Sequence, residues 1–189
     1  MTHRTYPLND TQWRFGQVLR QPFDTPNVYD LPTVSEWLPA TVPGNVRTDL
    51  LALGRIPDPY FAENYKDSLW VEAVDWWYRR DIQLEPLDPN QRAFLICEGI
   101  DYLSAIFVNG QEQTRHEGMF SRQTIEITEA LRHGNGQAEI SVRLWGSSAL
   151  PGRHLSPPWP CGSPGTGAFR ISIRSKSLLL RRVASLWMS

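Results

Sequence analysis

Carboxylates are the side chains here whose spacing could do chemistry. Glu98 and Asp101 stand three apart at the end of an apolar run, and Asp75 stands beside Trp76 and Trp77. Two carboxylates flanking a glycosidic bond suffice for its hydrolysis. Acids at such positions are more often solvated or structural, so no catalytic residue is assigned. The histidines His3, His116, His133 and His154 share no paired-ligand spacing and read as surface or turn residues, with no metal expected. A Gly-x-Ser-x-Gly elbow is absent, which removes a triad hydrolase. The dense glycine cluster Gly162–Gly167 follows prolines and opens no helical pattern, which argues against a phosphate loop, and no cofactor is expected. Cys97 and Cys161 allow one disulfide and build no zinc site. Aromatic content is the larger signal: Trp70, Trp76, Trp77 and Tyr78 crowd one short segment. Such rings fill cores and interfaces, and they can also present a flat face to a sugar.

The elements that must position these residues are strands. Ala138, Ile140, Val142 and Leu144 alternate with Glu139, Ser141 and Arg143, the pattern of a strand with one apolar and one polar face. Thr124–Thr128 alternates as well, whereas 93–97 and 105–108 are continuous apolar runs suited to central strands. Asn109-Gly110 favours the backbone of a type I′ hairpin turn. Segments 12–19 and 70–84 complete a set of at least six strands, and their spacing predicts an all-β antiparallel sandwich. One or two short helices are expected. Asn45 caps one whose Val46, Leu50 and Leu53 share a face and which Gly54 ends; the other spans 128–132, before His133-Gly-Asn-Gly136.

Charge divides the chain. Of its 189 residues, the first 139 hold all twenty acids and twelve bases, a balance of −8, and the last fifty hold seven bases and no acid. Overall the net charge is −1, which supplies no field for nucleic acid or an anionic membrane. Neither an export signal nor a membrane-spanning apolar run is seen, so the expected location is cytoplasmic. Residues 1–149 are assigned to one domain. Residues 150–189, basic and rich in Pro and Gly, read as an atypical tail through truncation, a shifted frame or a linker. Within it, 169–174 alternates as a substitute edge strand would, and 177–188 reads as an amphipathic turn or two.

Several motifs taken together carry a resemblance: Val42-Pro-Gly-Asn-Val46, Gly54-Arg-Ile-Pro-Asp-Pro-Tyr60 running on to Asn64, Trp70–Arg80, Gly99-Ile-Asp101, Phe107-Val-Asn-Gly110 and Gly118-Met-Phe120. Over residues 10–146 the chain resembles the amino-terminal, galactose-binding-like jelly-roll domain of family 2 glycoside hydrolases, the β-mannosidase branch above all. The resemblance implies a jelly-roll sandwich followed, in the complete protein, by an immunoglobulin-like domain and a (β/α)8 barrel that holds both catalytic glutamates. It further implies a non-catalytic domain, with carbohydrate and those missing domains as its partners. Asp58, Tyr60, Asn64, Asp75 and Trp76 become the positions expected at the substrate rim or the domain interface. The family's Gly-Trp-Asp-Trp-Gly segment does not follow Trp145. A stand-alone weak carbohydrate-binding module, or a pseudo-enzyme, is the alternative.

Overall fold

The computed structural model describes residues 3–26 and 28–146 and the strand 173–182. Ten strands form two antiparallel sheets: β1 (His3–Tyr6), β2 (Trp13–Val18), β3 (Leu38–Ala40), β4 (Asp75–Gln83), β5 (Gln91–Ile100), β6 (Leu103–Val108), β7 (Gln111–Glu117), β8 (Gln123–Glu126), β9 (Gln137–Leu144) and β10 (Ile173–Arg182). One sheet runs β1-β10-β5-β8 and the other β3-β2-β4-β9-β6-β7. This is the all-β antiparallel sandwich the alternation predicted, and the apolar runs of β5 and β6 are central in their sheets.

The core lies between the sheets. Trp13 and Phe15 of β2, Trp76 and Tyr78 of β4, and the even-numbered face of β9 meet Ala93, Leu95 and Cys97 of β5 and Ile125 of β8. Phe15 sits between Trp76 and Tyr78, with ring centroids 5.5 and 5.7 Å away. Cys97 carries a free thiol, and burial pushes it up to about 12.

Helix α1 (Val46–Ala52) starts where expected, with the Thr48 N–H donating to the Asn45 side chain at 2.9 Å, and it ends at Gly54 with φ +66°. Val46 and Leu50 are buried as predicted, but Leu53 is 37 % exposed and does not share their face. Helix α2 (Thr128–His133) is broken at Asn135 and Gly136, both at positive φ. The Asn109-Gly110 turn also has both residues at positive φ, as a type I′ hairpin requires.

Three expectations are corrected. The strand expected over 70–84 begins only at Asp75, because Asn64–Glu72 forms a 3-10 helix. Residues 177–182, expected as an amphipathic turn, belong to β10, which lies between β1 and β5 and not at an edge. Finally, the odd-numbered face of β9 does not face solvent throughout: Ser141 and Arg143 are fully buried. A second apolar layer explains this. Val28 and Leu31, with the half-buried Phe23, Tyr29, Val34 and Trp37, cover Trp77, Ala105, Phe107 and Trp145 on the outer side of the six-stranded sheet. Gly16 permits the close approach, since a Cβ there would stand 2.3 Å from Val34 and 2.6 Å from the Glu36 carbonyl. The proposed edge strand 169–174 and the remainder of the tail lie mostly outside the described residues. No helix among those described is long and apolar enough to cross a membrane.

Candidate functional site

Five residues carry the expectation of a rim or interface, and the fold separates them into two groups. Asp58, Tyr60 and Asn64 belong to one loop. The Asp58 carboxylate accepts the Tyr60 N–H at 2.9 Å, the fixed turn expected of Asp-Pro. The Asp58 carbonyl then accepts from the Phe61 N–H at 3.1 Å and from the Asn64 side-chain amide at 3.1 Å. The loop is held from below. Ile56 and Val71 reach the core, and Arg47 of α1 donates to Glu72 at 2.7 Å and to the Ser68 carbonyl at 3.3 Å. It exposes aromatic and apolar side chains among charged ones: Tyr60 is 87 % exposed and Phe61 71 %, with Tyr65, Leu69 and Trp70 also exposed beside Glu63, Lys66 and Asp67. Short-range bonds thus fix a loop that leaves aromatic rings in water.

Asp75 and Trp76 turn inward instead, with relative exposures of 0 % and 1 %. The Trp76 indole N–H donates to the Val71 carbonyl at 2.9 Å, which joins the base of that loop to β4. Asp75 is the centre of a buried network. It accepts from Arg143 at 2.8 Å, from the Gln21 N–H at 3.0 Å and from the Gly146 N–H at 3.0 Å. Arg143 also pairs with Asp30 and lies over Trp77 and Trp145, 5.7 and 5.2 Å from the ring centroids. Burial raises the Asp75 carboxyl while Arg143 and the two backbone N–H groups pull it down. A carboxylate tied to a guanidinium on one side and to backbone on the other holds structure and has no face for a sugar. The Arg143 and Asp30 roles were not foreseen. Arg143 reads as part of a polar strand face, and the one hint in the sequence is its position two residues before Trp145.

The other two acids singled out by spacing, Glu98 and Asp101, are engaged separately. Glu98 pairs with Arg122 at 3.2 Å. Asp101 is 6 % exposed, and burial pushes its carboxyl up to about 6. Its Oδ1 has no hydrogen-bond partner among the described residues.

Comparison with known proteins agrees with this architecture. The family described as "Glycosyl hydrolase 2 galactose-binding domain-like" matches residues 13–177. A probable β-mannosidase of Caenorhabditis elegans is 33% identical over 103 residues, 54% of this chain and 11% of that protein. Beta-mannosidase B of Thermothelomyces thermophilus is 29% identical over 155 residues, 80% of this chain and 17% of the relative. The solved β-D-mannosidase of Dictyoglomus thermophilum superposes with a TM-score of 0.64 at 25% identity, covering 96% of this chain and 23% of that one. This chain therefore spans less than a quarter of the length of each of these relatives. The motifs, the sandwich and the family match converge: the chain belongs to the galactose-binding-domain-like family of glycosyl hydrolase 2 proteins.

Proposed function

We propose that the chain is the non-catalytic, carbohydrate-binding-like amino-terminal domain of a β-mannosidase-like exo-glycoside hydrolase, and that the Asp58–Trp70 loop is the face it turns to the other domains. The observation that carries this reading is a loop pinned by its own hydrogen bonds while Tyr60 and Phe61 stand in water. Exposed aromatic side chains on a loop fixed in this way are the kind of surface that marks an interaction site. Asp58 and Asn64 are on this reading the fasteners of the face, and Asp75 and Trp76 support it from beneath. Hydrolysis of terminal β-linked sugars is then the work of the complete protein. The division of the chain at residue 149 belongs to the same proposal.

The test is direct. The purified chain is incubated with 4-nitrophenyl β-D-mannoside, and no nitrophenolate is expected. Turnover that survives purification and disappears in Asp81→Asn or Glu139→Gln, the two acids that share one open groove, would overturn the reading.

A further inference from the structure

Among the described residues, eight buried polar side-chain atoms have no hydrogen-bond partner, and four of them belong to three side chains: Ser104 Oγ, His116 Nε2, and both Oε1 and Nε2 of Gln123. The remaining four are scattered. The Nε atoms of Arg80 and Arg143 belong to guanidinium groups that are bonded through their other nitrogens, and Tyr78 contributes a single hydroxyl on β4. Asp101 lies in the connection between β5 and β6, on neither sheet face, and the site described below does not need it. A buried amide or hydroxyl gives up its hydration, and native chains seldom leave one without a replacement.

Strand register brings the three side chains together. Ser104 of β6 is opposite Leu144 of β9 on one side and His116 of β7 on the other. Leu144 belongs to the core between the sheets, as do Ile106 and Val108, two and four positions after Ser104. Residues paired across strands share a face, so Ser104 and His116 also point between the sheets. Gln123 of β8 is opposite Cys97 of β5, and both Cys97 and Ile125 are core residues, so Gln123 enters the same space from the other sheet. All three sit at one end of the sandwich. The chain crosses between the sheets there twice, from Ile100 to Leu103 and from Glu117 to Gln123. Packed sheets stand about 10 Å apart, a gap that a histidine on one side and a glutamine on the other span together. A Cβ on Gly118 would stand 3.6 Å from His116 Nε2, which puts the ring beneath the second crossing. Ser104 is 0% exposed and Gln123 9%.

The unpaired atoms decide what fits between them. Gln123 has both a donor and an acceptor to satisfy, the Ser104 hydroxyl can act as either, and His116 Nε2 takes one role according to its tautomer. A cation would meet the Gln123 oxygen and be repelled by its amide hydrogens, and an anion would do the reverse. Neither ion finds a countercharge among the three. An apolar guest would satisfy none of them. Water both donates and accepts, and a buried water makes about three hydrogen bonds. We propose that this end of the sandwich is an internal binding site for about two water molecules, which bridge Ser104, His116 and Gln123 from one sheet to the other. The bridge joins β6 and β7 to β8 at the point where the two sheets present unpaired groups to each other. It stands independently of the function proposed above.

The experiment looks for the waters directly, by magnetisation transfer from water to the ¹⁵N-labelled full chain. Cross-peaks of opposite sign in NOE and ROE spectra, the mark of a long-lived water as against proton exchange, are expected at the Gln123 side-chain amide. They should persist in Ser104→Ala, since the water is then their source and not the hydroxyl. Water ¹⁷O relaxation dispersion supplies the count. Ser104→Ala, His116→Phe and Gln123→Met combined make the space apolar and should lower the number of long-lived waters by about two. If the combined variant does not fold, the spectra of the parent and of Ser104→Ala decide. The proposal is overturned by the absence of such cross-peaks at Gln123 in the parent, by their loss in Ser104→Ala, or by an unchanged count in the folded triple variant. It is overturned equally by a scalar coupling across a hydrogen bond between Gln123 Nε2 and His116 Nε2, which would mean that the side chains satisfy one another without water.

Discussion

Arg143 and Asp75 form an ion pair, 2.8 Å between Nη2 and Oδ2, in which neither side chain touches solvent. The same carboxylate holds the Gly146 N–H, where the chain leaves β9, and the Gln21 N–H in the segment that covers the outer face. One acid thereby joins strand β4, strand β9 and the covering layer. Removing a single partner of such a pair leaves the other charged and buried, which costs about 3–5 kcal/mol. Arg143→Ala should therefore lower the unfolding free energy by that amount in urea. A loss of less than about 1 kcal/mol, the range of an exposed pair, would show that the network is not closed to water.

Tyr60 and Trp76 lie on opposite sides of the solvent boundary and should respond in opposite ways. Trp76→Ala empties a fully buried site and should cost about 3–5 kcal/mol. Tyr60→Ala removes a ring that is 87 % exposed and should change stability by no more than about 0.5 kcal/mol. Thermal unfolding of both variants checks the contrast. A large loss in Tyr60→Ala would mean that the ring is packed within the chain and is not available to another domain.

Much of the frame could be read from residue order because its causes are local. The inner face of β9, the Asn109-Gly110 turn and the Asn45 cap each depend on side chains within a few positions of one another. The outer layer was not readable. Val28 and Leu31 lie outside any strand, and Arg143 takes its hydrogen-bond partners from residues more than sixty positions away. A polar strand face therefore looked solvated where it is covered. The same distance effect hid the difference between Asp58, whose hydrogen bonds are with its own loop, and Asp75, whose partners are far apart in the chain.

The Asn45 cap offers a clean local test. Its side chain satisfies the Thr48 N–H at the start of α1, and Asn45→Ala should lose about 1 kcal/mol. Asn45→Asp, which keeps the acceptor, should restore most of it. Equal losses in the two variants, measured by denaturant midpoint, would assign the effect to something other than the cap.

Gly99 lies in the Gly-Ile-Asp segment that carried part of the family resemblance, and its role is space. A Cβ there would stand 2.4 Å from the Met119 carbonyl oxygen, a backbone atom that no rotamer change can move. Gly99→Ala should cost about 1–3 kcal/mol as overpacking and shift the amides of residues 117–121. If the variant is as stable as the parent, the 118–122 connection does not rest on β5 as described.

Acid pH should stabilise this chain, against the usual trend for carboxylates. Burial pushes Asp49 and Asp101 each up to about 6, and the Thr41 N–H that donates to Asp49 opposes the shift only in part. An unfolded aspartate titrates near ~3.9. Between these values the native chain keeps protons that the unfolded chain has released, so the stability these two carboxyls contribute is fully present below about 4 and is lost as pH rises through about 6. Arg92 lowers Glu126 to about 2, which gives the opposite slope, in a window from about 4.3 to about 2 that lies mostly below this one. Asp49→Asn and Asp101→Asn should each remove a share of the slope between about pH 4 and 6.5. The double variant should retain a remnant from Asp75, which is raised in the same sense. Urea unfolding at several pH values measures the slope directly. If both single variants keep the full slope, neither carboxyl is held away from water in the native chain.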